Sequence, residues 1–139
     1  MSSEVLAHLE GLAGGLEPGE RSIAMLLSLY RDAPKADIAV VDPSLADLLR
    51  QLATKHLPML FTDRRVIVFE VDQQGQLVGP LVQIPSGTIR VTRVKRGRRF
   101  LKGSIVLRIA MVELRLVLAI DESENLDTLA RSQYAVPPG

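Results

Sequence analysis

Apolar residues recur every second position through the middle and end of the chain, and every third or fourth position at its two ends. The clearest alternation is the segment ELRLVLAI over residues 113–120. Leu114, Leu116, Leu118 and Ile120 point one way there, and Glu113, Arg115, Val117 and Ala119 the other. The same period predicts strands over residues 57–62, 65–72, 77–84, 88–95 and 99–110. The first two flank the short turn TDRR, and Ile67, Phe69 and Val71 share one face of the second. The segments DQQGQ, PSG and KRG supply turn chemistry between the others. Residues 3–16 have helical spacing instead, through Val5, Leu9, Leu12 and Leu16. Gly14 and Gly15 then loosen the chain and Pro18-Gly19 turn it, as in a hinge between a helical arm and the main body.

Residues 36–41 form a short β-prone run. A helix is predicted from Asp42-Pro43 to about His56, since Asp caps and Pro suits the first helical position. Leu45, Leu48, Leu49 and Leu52 make its apolar stripe, and Pro58 stops it. A last helix over residues 123–132 starts at a Ser cap beside acids, and AVPPG follows as a tail. Residues 21–30 (RSIAMLLSLY) fit both periods, and their Ala, Met and Leu favour helix. The whole order is α+β: a strongly bent antiparallel sheet or partly open barrel, a C-terminal closing helix and an extra N-terminal helix. The organisation expected is a helical arm and linker over residues 1–18 and one domain over 19–139.

The 139 residues suit that single domain, which is long enough to bury a core without a disulfide or metal staple. With no cysteine in the chain, zinc-ribbon, iron–sulfur and thiol-nucleophile chemistries are excluded. The N-terminus lacks the basic start and unbroken apolar run of a secretory signal, so the protein is expected in the cytosol or at the inner face of the membrane. The net charge of +1 hides a division. Residues 1–63 hold 5 basic and 9 acidic side chains, residues 64–112 hold 10 and 2, and residues 113–139 hold 2 and 5. Either the acidic ends fold back on the basic segment, or that segment faces an external anion.

No catalytic residue, metal ligand or cofactor is expected. His8 and His56 sit far apart and outside any metal-spaced pair. GGLEPGE lacks the Gly-Lys-Ser/Thr of a phosphate loop, KGS has the wrong order, and no G-x-S-x-G elbow exists. Asp63 is read as bracing its turn, and Asp121 and Glu122 as opening the last helix. An enzyme is the minority reading.

The segment LFTDRRVIVFEVDQQGQLVGPLVQIPSGTIRVTRVKRG carries a resemblance. A strand ending in Thr, an Asp-Arg-Arg turn and an apolar strand ending in Phe resemble the bacterial PH-like and GRAM-type domains of the pleckstrin-homology superfamily. Ile84-Pro85 and the strand from Ile89 to Val94 resemble the next steps of that pattern. The resemblance spans roughly residues 19–133. It implies the PH-like fold, makes residues 21–30 the first strand, and implies a binding module. Two features depart from the family. The interval between the first two strands holds a helix and few basic residues, where eukaryotic PH domains bind phosphoinositides. The closing helix also lacks their tryptophan.

The basic stretch TRVKRGRRFLKG, with Gly97 at a hairpin tip, supplies the candidate contacts: Arg93, Lys95, Arg96, Arg98, Arg99, Phe100 and Lys102. Simple alternation puts Arg99, Leu101, Ile105, Leu107 and Ile109 inward, and Arg98, Phe100, Lys102, Ser104 and Arg108 outward. Four such cations near an anionic membrane contribute ~4 kcal/mol, on the order of a thousandfold in affinity. Equally, basic residues on strands guard sheet edges, and a bulge at Gly97 or Gly103 would return Phe100 to the core. The function expected is docking to a protein partner, or to a second copy, through this hairpin. Alternatives are peripheral binding to anionic lipid through the same residues and a structural role by self-association through the N-terminal leucine-bearing helix and exposed strand edges. Nucleic acid is disfavoured because the stretch offers one aromatic for stacking. No small-molecule substrate is expected.

Overall fold

In the computed structural model the described residues are 3–27, 29–31, 48, 50–51, 55–97, 103–109, 112–118 and 122–136. Helix α1 (Ser3–Leu12) comes first. Strands β1 (Ser22–Leu26) and β2 (Leu29–Arg31) follow, then β3 (Met59–Thr62), β4 (Arg65–Val71) and β5 (Leu77–Pro85). A short 3-10 turn (Ser86–Thr88) leads into β6 (Ile89–Lys95), β7 (Ser104–Ile109), β8 (Val112–Leu118) and helix α2 (Ser123–Ala130). The predicted stretch 36–41 lies outside the described residues. Of the helix predicted from Asp42 to about His56, Leu48, Arg50 and Gln51 are described and helical, and Lys55 and His56 are described and not helical.

The strands form two four-stranded antiparallel sheets, ordered β1-β3-β4-β5 and β2-β8-β7-β6. This is the α+β architecture that the resemblance implies: bent, open, with a closing helix and an extra N-terminal one. Within the predicted 21–30, Ser22–Leu26 and the residues from Leu29 on are extended rather than helical, but they do not form one strand. The chain leaves the first sheet after Leu26 and enters the second at Leu29. At the break, the Leu27 N–H donates to Glu122 Oε1 at 2.8 Å, and the Leu57 N–H donates to the Leu29 carbonyl at 2.8 Å. These two bonds satisfy the Leu27 N–H and the Leu29 carbonyl where the chain changes sheets.

The inner faces of both sheets share one core. Ala24, Leu26, Met59, Phe61, Val66 and Val68 come from the first, and Ile89, Val91, Ile105, Leu107, Leu114 and Leu116 from the second. Leu126 and Leu129 of α2 enter the same cluster, fully buried. The first sheet has a second apolar face. Met25, Leu60, Ile67 and Phe69 pack outward against Leu9 of α1, with Val5, Leu6 and Leu12 around them. Ile67 and Phe69 share a face, as alternation requires, but Val71 packs against the main core instead. The β4–β5 register shifts between Val68 and Phe69 and again between Glu70 and Val71, with the extra residues, Leu81 and Val78, on β5.

Helix α2 does not begin at a Ser cap. Glu122 holds the cap position with no side-chain cap bond, and its carboxylate is instead given to Leu27. Of the predicted tail AVPPG, Ala135 and Val136 are described, and Ala135 bridges to Val91 of β6. The Val91 N–H donates to the Tyr134 carbonyl at 2.7 Å, and the Val136 N–H to the Val91 carbonyl at 3.2 Å. They cover the β6 edge at that point.

Candidate docking face

Strand β6 begins with a plain alternation, Ile89 and Val91 inward and Arg90 outward. Continued unchanged, it would turn Arg93 into the core. The register instead shifts between Val91 and Arg93, so that Thr92 is an extra residue opposite β7. The Thr92 hydroxyl donates to the Val106 carbonyl at 3.2 Å and holds this bulge in place. After it, Val94 faces the core and Arg93 and Lys95 face solvent. The bulge is thus what keeps a cation out of the apolar interior.

The pairing of β6, β7 and β8 sets these residues in rows. Arg90 lies opposite Arg108, which lies opposite Glu113. Arg93 lies opposite Val106, which lies opposite Arg115. Lys95 lies opposite Ser104, which lies opposite Val117. Arg90, Arg93, Lys95, Arg108 and Arg115 are all exposed, with Val106 and Val117 half-buried between them. Among the described residues of these three strands the outward face holds five cations and one acid, Glu113. The Arg108–Glu113 pair is 3.4 Å apart with both side chains about half exposed, so it neutralises little. Arg90 and Arg108 sit directly across from each other, an arrangement that costs stability in a sheet. The Arg90 guanidinium is steadied by donating to the Ser86 and Ile89 carbonyls at 3.0 and 2.9 Å.

Ser104, outward by alternation, is only 5% exposed. It is flanked in the ladder by Lys95 and Val117, whose own neighbour is Tyr30 of β2. Of the hairpin residues read from sequence, Arg93 and Lys95 lie on the basic face. Arg96, past the end of β6, turns toward α2 and pairs with Asp127 at 3.6 Å. Arg98, Arg99, Phe100 and Lys102 lie outside the described residues. The structure adds Arg90, Arg108 and Arg115. The outward sets of the last two strands already contained Arg108 and Arg115. What was missing was the pairing that brings them beside Arg93.

A second polar cluster surrounds the TDRR turn, and its groups are turned on one another. Glu20, 7% exposed, accepts from Arg65 Nε at 2.9 Å and from the other arm of that guanidinium at 3.0 Å. It also accepts from the Thr62 hydroxyl at 2.6 Å and the Glu17 N–H at 2.9 Å. Burial pushes its carboxyl up, but the bonds from Arg65 and Thr62 outweigh that and hold it at about 2, below the ordinary 4.5. Arg64 pairs with Glu17 at 3.0 Å and donates to the Pro18 carbonyl at 3.0 Å. The turn itself is braced by Thr62, whose hydroxyl oxygen accepts from the Arg64 and Arg65 N–H groups at 3.2 and 3.1 Å. Asp63, read as the brace, ties the turn to the chain before β1 by accepting from the Arg21 N–H at 3.0 Å. Tyr134, fully buried, points its hydroxyl at the Thr62 carbonyl and stacks edge-on against Phe61 with ring centroids 5.4 Å apart. Burial, with the Asp63 and Glu20 carboxylates, pushes its phenol well above its ordinary value. This cluster is a clamp joining the exit of α1, the β3–β4 turn and the C-terminal segment.

No family model and no curated protein matches the chain. Among solved structures, the Vps36 N-terminal PH domain aligns at a TM-score of 0.45 and 15% identity, over 82% of this chain and 80% of that one.

A cleft of about 620 Å³ opens between α1, the end of β1 and the β4–β5 turn, with Val5, Leu27, His56, Asp72 and Leu77 in its wall. Asp72 is committed to its own turn, accepting from the Gln74 and Gln76 N–H groups at 2.9 Å each. Among the described residues no group of three or more His, Asp or Glu stands close enough to hold a metal ion.

Proposed function

We propose that this chain is a non-catalytic docking module that presents the outer face of its second sheet to an acidic surface on a partner protein. The observation that carries this reading is the set of exposed cations on three paired strands with one acid among them. By contrast, Arg65 on the other sheet is paired with the buried Glu20 carboxylate. Four of the five cations on the face are arginines, whose planar fork matches a carboxylate through two parallel bonds. The three strands carry no aromatic residue to stack bases. Of the exposed large apolar residues among the described ones, Val78 lies on β5 of the other sheet.

The test is binding of the chain to a poly-glutamate peptide, to anionic vesicles and to neutral vesicles, at low and physiological salt. The Arg93→Glu/Arg115→Glu variant runs beside the parent. Salt-sensitive peptide binding that the variant loses supports the proposal. Binding to anionic vesicles but not to peptide overturns it in favour of a membrane contact. Binding to neither leaves the face an edge guard without an anionic partner.

A further inference from the structure

Helix α1 covers an apolar seat on the outside of the first sheet. Met25 is 3% exposed there, and Leu60, Ile67 and Phe69 are fully buried. Leu9 is likewise fully buried against them. Left bare, these side chains would form a contiguous apolar patch of the kind that recruits another surface. The helix has ten residues, too few to persist alone in water. Seat and helix therefore each need a partner, and either copy of the chain supplies both.

The connection to the body has the parts of a pivot. Gly14 and Gly15 have φ of 86° and 85°, a conformation that L side chains rarely adopt. A Cβ built on either glycine would meet no atom within 4 Å. The glycines are thus required by the reversal of the backbone and not by close packing. Immediately afterwards the chain is fixed, by Glu17 to Arg64 and by Glu20 to Arg65 and Thr62. The Arg65 guanidinium also donates to the Gly15 carbonyl at 3.4 Å, so any movement of α1 turns on the backbone between Leu12 and Gly15. A side-chain bond from the Ser22 hydroxyl to Glu10 Oε2, 2.6 Å long, ties the helix to the body.

We infer that α1 is exchangeable: it opens at Gly14-Gly15, and the α1 of a second copy of this chain fills the vacated seat. Reciprocal exchange preserves every helix–seat contact in a closed, two-fold dimer, so the backbone of the two hinge residues decides between the closed and exchanged forms. This inference is independent of the basic face, which lies on the other sheet.

The hinge can be biased without touching the seat. Gly14→Ala/Gly15→Ala penalises the left-handed turn and favours continuation of the helix. Gly14→Asn/Gly15→Asn is the control, because Asn tolerates that conformation. The chain has no cysteine, so Glu10→Cys with Ser22→Cys gives one reporting pair, joined by a short bis-maleimide. Sedimentation should show the alanine variant dimerising at least roughly tenfold more strongly than the parent, with the asparagine variant close to the parent. Crosslinking of that dimer should give covalent dimers on a denaturing gel. A dimer whose crosslinks stay within one chain overturns the inference, as does an alanine variant that is folded and as monomeric as the parent. The reporting pair in the otherwise unaltered chain is a second test that does not depend on the hinge variants folding. Refolded at its highest soluble concentration it should yield interchain crosslinks, and their absence overturns the inference.

Discussion

The two sheets have the same number of strands and opposite uses of their outer faces. In the first, Met59 to Thr62 and Val66 to Phe69 are buried without a break, because the common core takes one face and α1 the other. Such strands read as continuous apolar runs. In the second, the outward positions of β6, β7 and β8 are mainly charged, and the strands alternate. The basic segment of the sequence is divided in the same way. Arg64 and Arg65 are spent inside the molecule, holding the N-terminal acids against the first sheet. Arg90, Arg93, Lys95 and Arg108 remain on the outside of the second. Arg65 on the first sheet is therefore structural and Arg93 on the second stands toward solvent, and substitutions can separate the two uses.

The largest effect is expected at the clamp. Arg65→Ala leaves the Glu20 carboxylate buried with its main partner gone, and should cost about 3–5 kcal/mol in urea unfolding. The clamp also makes stability depend on pH. Glu20 titrates near 2 in the fold against an ordinary 4.5, so its contribution is present above pH 4.5 and is lost as pH falls toward 2. The parent should lose stability across that window, and Glu20→Gln should lose less across it while starting lower at neutral pH. An equal slope in both proteins would remove Glu20 from the account.

The sequence foretold the strands better than the surfaces they form. Alternation located β3 to β8 within a few residues, because each strand has at least one face toward the core. It did not separate β1 from β2, since the break depends on Glu122, 95 residues further on. The same contact explains the misplaced helix cap: a carboxylate beside Ser123 had a distant backbone N–H to satisfy. The Thr92 bulge left its trace in the sequence, since unbroken alternation would have sent Arg93 inward. The basic face was half legible. Arg93 and Lys95 stood in one charged run, whereas Arg108 and Arg115 lie in other strands and join them only through register. The clamp was not legible at all, because Glu20 and Arg65 are far apart in sequence and nothing local marks them as a pair.

Two substitutions of intermediate size probe how closely each sheet is covered. Leu9→Ala removes the side chain that α1 buries in its seat and should cost about 2–4 kcal/mol by thermal or urea unfolding, if helix and sheet unfold together. A cost below about 1 kcal/mol would mean that α1 contributes little to the body's stability. Gly103→Ala tests the base of the basic hairpin. A Cβ there would stand 2.8 Å from the Lys95 carbonyl oxygen and 3.0 Å from methyl groups of Leu118 and Leu126. The nearest atom is backbone and cannot swing aside, so the cost should be about 1–3 kcal/mol.

The smallest stability effect is expected on the docking face, and there its smallness is the point. Arg93 is exposed, has no ion pair among the described residues, and faces its β7 neighbour Val106 across the ladder. Arg93→Ala should change unfolding free energy by no more than about 0.5 kcal/mol. Its effect on binding to an acidic probe should be larger than its effect on folding: a loss of roughly two- to fivefold at low salt, from one solvent-exposed charge contact of about 0.5–1 kcal/mol. That loss should shrink as salt rises, because the contact is screened within about 10 Å at 0.1 M ionic strength. If Arg93→Ala instead costs as much stability as Gly103→Ala while binding is unchanged, the charges on the second sheet belong to the fold, as those on the first do. The contrast between the two sheets would then be one of position only.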